Sequence, residues 1–243
     1  MASFPRALVA LVALVALCVA SACAAASAAT LQIMPVTIEL PPSAAAASMT
    51  LSNPGGQPIY GQVRAYRWTQ ENGDDVMTPT DALAASPPLL QIGANAEQLI
   101  RLVRTGRGAP AAEESYRVLI DELPSPGTPV ENGITIRLRY SVPVFVEPEG
   151  TRAAPRLDWR VERDGSGTRL AVANRGERRA QIAAVRLVDA RGTVHDVTRG
   201  LLGYALAGST RRWPLKLDAG AAGFVRIQAT VNAQPVEARL TSP

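Results

Sequence analysis

The stretch that decides the fold is Ile134-Thr135-Ile136-Arg137-Leu138-Arg139-Tyr140-Ser141-Val142-Pro143-Val144-Phe145-Val146. Ile134, Ile136, Leu138, Tyr140, Val142, Val144 and Val146 fall on one face of an extended chain, and Arg137, Arg139, Ser141, Pro143 and Phe145 fall on the other. A period of two is the signature of a strand with one face in a core. At some thirteen residues this strand is about twice the usual length. A strand that overruns its sheet leaves backbone N–H and C=O groups and an apolar row unpartnered, which proteins ordinarily avoid at an edge.

Outward from this strand the chain reads as all-β. Residues 31–40, 49–52, 59–69 and 116–123 form strand-like runs, and Asn53-Pro54-Gly55-Gly56 and Glu71-Asn72-Gly73-Asp74 punctuate them as turns. Residues 89–104 place apolar side chains near helical spacing, but Pro87-Pro88 before them and Gly93 within them favour strand, turn, strand. Beyond Pro148-Glu149-Gly150, short strands are predicted at 157–161, 168–173, 182–188, 194–197, 211–215, 224–231 and 236–240. Regular short strands with turns between them predict tandem β-sandwiches.

Charge divides the chain at the same place. Residues 29–147 hold 8 Arg against 12 acids, and residues 148–243 hold 15 Arg and Lys216 against 9 acids. This step predicts units at 29–147 and 148–243. At the N-terminus, one positive charge at Arg6, an uncharged run over 7–20 and Ala26-Ser27-Ala28 predict a signal peptide cleaved after Ala28. Cys18 and Cys23, the only cysteines, would leave with it, so no disulfide is expected in the exported chain. Cys23 is also weighed as a lipid-attachment residue, although Ala20 fits such a signal poorly.

The sequence offers little chemistry. It has no phosphate loop, no nucleophile elbow and no paired histidines. His195-Asp196 reads as a surface or structural pair, and Asp74-Asp75 and Glu113-Glu114 read as solvated loop charges. No enzyme activity, metal, cofactor or nucleotide is expected. Nucleic acid is not expected either, because no arginine cluster is interleaved with aromatic residues.

Four ordered segments carry a resemblance. They are Met34-Pro35-Val36-Thr37-Ile38-Glu39-Leu40; the run 49–56; Pro87-Pro88-Leu89-Leu90-Gln91-Ile92 with Gln98-Leu99-Ile100-Arg101-Leu102-Val103-Arg104; and 114–124 with 134–148. Together they resemble the PapD-like periplasmic pilus-assembly chaperones of the chaperone-usher pathway. The phrasing in 35–40 and 116–124 is similar to the branch that serves spore-coat-U-type subunits. The resemblance implies two immunoglobulin-like sandwiches, a periplasmic location, and partners in pilus or spore-coat-U-type subunits and an outer-membrane usher. It also implies that the last strand of the first domain is lent to an incomplete subunit.

On that resemblance Ile134, Ile136 and Leu138, with Tyr140, occupy the lending positions. Burial of the first three side chains would contribute about 5–9 kcal/mol gross, at roughly 1.5–3 kcal/mol each. Typical members hold the subunit's C-terminal carboxylate with two basic residues between the domains. Thr37 and Pro143 stand at the matching positions here, and Glu147 stands where an interdomain arginine is usual. Arg101, Arg104 or Arg139 is the expected substitute for the carboxylate anchor, since guanidinium forks suit carboxylates. The rival expectation is a secreted tandem immunoglobulin-like module for adhesion or carbohydrate binding, which lends no strand.

Overall fold

The computed structural model describes residues 31–106, 108–127, 136–150, 154–165, 167–216 and 223–241. These residues form strands, turns and bends only, arranged as two sandwiches. In the first, one sheet runs β1 (Gln32–Met34), β3 (Ala46–Asn53), β8 (Ala96–Arg104), β6 (Leu83–Ser86). The facing sheet runs β2 (Ile38–Leu40), β10 (Arg139–Val146), β9 (Glu114–Leu123), β4 (Ile59–Glu71), β5 (Asp74–Pro79), with β7 (Leu89–Ile92) also on β4. Alternate residues meet between the sheets: Met49, Leu51, Ile100 and Leu102 from one, Val118, Ile120, Val142, Val144 and Val146 from the other.

The second sandwich packs β11 (Leu157–Asp164), β12 (Gly167–Asn174) and β15 (Thr210–Pro214) against β14 (Val194–Ala205), β13 (Ala180–Asp189), β16 (Phe224–Val231) and β17 (Gln234–Arg239). Its separate core centres on Trp159, Leu170, Ile182, Leu187 and Ile227.

The Asn-rich turns are held by their own side chains. Asn53 donates to the carbonyls of Gln57, Ile92 and Gly93 and accepts from Gly55 N–H, and Asn174 donates to Arg178 and Ala205 and accepts from Gly176 N–H. Each buried amide is thereby satisfied and ties a turn to the facing sheet.

Residues 89–104 are strand, turn, strand, as their Gly and Pro content predicts. The expected single strand at 31–40 is instead two, because the chain crosses between sheets: β1 pairs with β3, and β2 pairs in parallel with β10. Pro35 lies at the crossing, where its missing N–H costs no ladder bond. β5 and β6 were not expected, as Asp74–Pro79 is exposed at nearly every position and carries no core-facing alternation.

Candidate functional site

The register of β10 shows which of its backbone groups have partners. Glu122 N–H donates to Leu138 C=O at 3.1 Å, so Leu138, Tyr140 and Val142 turn their polar groups toward β9. Glu147 N–H donates to Leu40 C=O at 2.9 Å, so the odd-numbered residues face the other way. On that side β2 pairs only with Val144–Val146. Pro143, which has no N–H to give, lies next to the point where that pairing ends. Among the described residues no strand pairs with Arg139 or Ser141 on this side, and β10 is an open edge there.

The strand proper begins at Arg139, so the expected thirteen-residue strand has eight residues within the described chain. Before it, Ile136 and Leu138 continue the core-facing row beyond the sandwich, 78% and 40% exposed. Tyr140 is half-buried against the first core, and burial pushes its hydroxyl above the ordinary value. That hydroxyl takes the Leu31 N–H and reaches Glu122 Oε1 at 3.5 Å. Glu122 Oε2 also accepts Leu138 N–H at 3.2 Å. Ile134 lies outside the described residues.

On the outer face Asp121 accepts from Arg64 Nη2 at 2.6 Å and from Arg139 Nε. Burial pushes its carboxyl up, but the hydrogen bonds from Arg64 and Arg139 and their positive charge outweigh it and hold the pKa below the ordinary value. Arg139 is thus at the open edge, whereas Arg101 and Arg104 lie on β8 in the facing sheet, where Arg104 donates to Gly108 C=O. Of the three alternatives for an anchoring charge, Arg139 alone borders the open edge.

The other end of this face meets the second sandwich. Phe145, which the alternation assigns to the side away from the core, is fully buried in a second cluster with Trp68, Tyr204 and Leu206. Arg117 stacks on Trp68, 3.8 Å from the ring centre, and Arg179 stacks on Phe145 at 3.7 Å. Glu147 sits where the resemblance implies an arginine, yet an ionic link is present with reversed polarity: Arg178 Nη2 donates to Glu147 Oε1 at 2.5 Å. Arg179 Nη1 donates to Glu113 Oε2 at 2.5 Å and its Nη2 to Glu39, while Thr37 lines the same cleft beside Tyr204 and Asn232.

Of the charges expected in solvent, Asp74 is indeed 82% exposed although it touches the second sandwich, whereas Glu113 is a buried joint. The Glu113 side chain is fully buried, and burial pushes its carboxyl above the ordinary range against the opposing pull of Arg179 and Arg178. Asp74 accepts from Arg211 at 2.8 Å, and Asp75 accepts from Trp68 Nε1 and Gln70. Gln70 also donates to Tyr204 C=O and accepts Leu206 N–H. The missed partners are more than a hundred residues away in the case of Asp74 and Gln70, and no local pattern points to them. His195 meets Asp189 at 3.5 Å and stands edge-on to Phe224, while its sequence neighbour Asp196 pairs with Arg199.

Two immunoglobulin-like sandwiches in tandem, the first with an open strand edge, narrow the class to sandwich proteins, among which PapD shares this architecture. Residues 30–152 match the family described as pili and flagellar-assembly chaperones, PapD N-terminal domain, and the chain belongs to that family. No curated protein sequence gives a significant match.

Solved structures share the fold across nearly the whole chain. One is the CsuC–CsuE chaperone–tip adhesion subunit pre-assembly complex from archaic chaperone-usher Csu pili of Acinetobacter baumannii, with TM-score 0.69, 23% identity, and coverage of 87% of this chain and 98% of that chain. The Salmonella enterica SafA pilin in complex with the SafB chaperone gives TM-score 0.61, 19% identity and coverage of 89% and 97%. The E. coli chaperone DraB gives TM-score 0.58, 19% identity and coverage of 87% and 99%.

Proposed function

We propose that this protein holds pilus or surface-coat subunits in the periplasm by adding β10 and the residues before it to an incomplete subunit sandwich, and passes them to an outer-membrane usher. Ile134, Ile136 and Leu138 enter the subunit, and Tyr140 anchors the root of the segment. In this reading a signal peptide ends at Ala28, the first domain covers 29–147 and the second 148–243, and the subunits are of the spore-coat-U type.

The observation that carries the reading is the adjacency of an unpaired strand edge, at Arg139 and Ser141, to an exposed apolar row, at Ile136 and Leu138. Strand addition satisfies both at once: the partner's backbone takes the open groups and its core takes Ile136 and Leu138. Burial of these two described side chains contributes about 3–6 kcal/mol gross. The Csu and Saf complexes, each a chaperone with a subunit or pilin, support the same reading.

Co-expression of Ile136→Asp with a pilus subunit tests it. A charge forced into the subunit core should abolish recovery of the complex, while the chaperone's own melting temperature stays unchanged because Ile136 is exposed. Undiminished recovery would contradict the proposal.

A further inference from the structure

The second sandwich carries a hollow of about 590 Å³ on its sheet β14-β13-β16-β17. It forms where β13 leaves regular pairing with β14. Register shifts fall between Ile182 and Ala183, Ala183 and Val185, and Val185 and Arg186, and Ala184 among them takes φ +49°, in the left-handed region. Bulges re-aim side chains, and a left-handed residue other than glycine persists only where its surroundings fix it; both features concentrate at functional sites. Val185 pairs with Thr198 and Ala183 with Thr230, so the two threonines flank the small Ala184 from neighbouring strands.

Along the next row Arg186 stands between Asp196 and Gln228, and Gln228 faces Glu237. These four residues line the hollow together with Arg199. Both carboxylates are already answered. Glu237 accepts from Arg226 Nη1 at 2.7 Å and from Gln228 Nε2 at 3.1 Å, and Asp196 Oδ2 lies 3.5 Å from Arg199 Nη2. Arg186 is exposed and has no hydrogen-bond or ion-pair partner among the described residues, so its positive charge is left over. Hydroxyls add donors beside it. Thr198 Oγ1 accepts Gly200 N–H at 3.3 Å and keeps its own proton to give, and Thr230 Oγ1 is unbonded among the described residues.

A guanidinium fork with two hydroxyls beside it is a donor set for an oxyanion with several acceptor oxygens, which a phosphate supplies. The hollow falls within the roughly 300–1,000 Å³ of small-molecule sites. Its lining is polar, so the rest of the ligand is polar as well, and Gln228 Oε1 and Asp196 Oδ1 are acceptors for its hydroxyl groups. We propose that the second sandwich binds a phosphate monoester of a small polyol in this hollow, with Arg186, Thr198 and Thr230 on the phosphate and Asp196 and Gln228 on the polyol. The site lies on different strands from the open edge of β10 and does not rest on the strand-addition reading.

The test titrates glycerol 3-phosphate, inorganic phosphate and glycerol into the isotope-labelled protein at constant ionic strength, read from backbone amide shifts. Glycerol 3-phosphate should shift the amides of Ala184, Thr198 and Thr230 saturably, inorganic phosphate should bind about tenfold more weakly, and glycerol should not bind. Arg186→Gln should weaken glycerol 3-phosphate about tenfold, with the melting temperature unchanged because the side chain is exposed and unpartnered. Thr230→Val should weaken it too. Arg239→Gln removes the same charge from the same sheet outside the hollow and should leave the affinity as it is. Shifts that rise without saturating, or equal losses from Arg186→Gln and Arg239→Gln, would reduce the effect to the general pull of a basic surface on anions and overturn the site. Inorganic phosphate binding as tightly as the ester overturns the polyol assignment, and the absence of any shift overturns the proposal as a whole.

Discussion

Arg178 Nη2 lies 2.5 Å from Glu147 Oε1, joining the end of the first sandwich to the second with the polarity of the charges reversed from that which the family resemblance implies. Both side chains are largely buried, 16% and 12% exposed, so the pair is shielded from salt and its geometry matters. A double-mutant cycle of Glu147→Gln and Arg178→Gln should give a coupling of about 1–3 kcal/mol in urea unfolding. Additive single effects would show that the pair does not tie the domains.

Gly73 makes the second joint. Its φ of +90° lies in the left-handed region, its carbonyl accepts from Arg212 N–H, and a Cβ there would meet Arg212 Cδ and Cγ at 2.9 Å. Gly73→Ala should cost about 1–3 kcal/mol and loosen the β4–β5 turn from β15, seen as faster amide exchange at Arg212. Gly56→Ala, with open space around it and no such φ, is the control and should stay within about 0.5 kcal/mol of wild type.

Asp121 gives a pH signature. Its folded pKa is below the ordinary 3.8, so its stabilising contribution is fully present above that value and is lost as the pH falls through the folded pKa. The stability gap between wild type and Asp121→Asn should be constant above about pH 5 and close progressively below 3.8. A gap of equal size at pH 3 and pH 7 would contradict the assignment.

Glu113 should behave differently from its neighbour Glu114. Truncating Glu113 to Ala leaves Arg179 and Arg178 in a buried joint without their shared carboxylate, at a cost of about 3–5 kcal/mol. Glu114→Ala, from a half-exposed position, should cost about 1 kcal/mol or less. Comparable losses in chemical denaturation would argue against the joint.

What was legible in the sequence follows the reach of the physics. The alternation through Val142, Val144 and Val146 marks a strand with one face in its own core, and Ile136 and Leu138 prolong that row past the sandwich, so edge and apolar segment are both visible from periodicity. The same alternation placed Phe145 and Pro143 beside the arginines without showing that a second sandwich buries Phe145. That burial depends on Tyr204 and Leu206, nearly sixty residues further along the chain. Glu113 looks like solvated charge for the same reason: its arginines arrive only through tertiary structure, as does the Arg211 partner of Asp74, which itself stays exposed. The early end of the ladder to β2 was missed because a proline's lost N–H matters only once its register is known.

The central claim is that β10 has an open edge which a subunit strand closes, and amide hydrogen exchange along β10 in the free and subunit-bound protein tests it most directly. In the free protein the N–H groups of Arg139 and Ser141 should exchange as if unprotected, while those of Tyr140 and Val142, turned toward β9, are protected. Binding of a pilus subunit should protect Arg139 and Ser141 and leave Tyr140 and Val142 as they were. Arg139 and Ser141 already protected in the free protein, or still unprotected in the complex, would contradict the account.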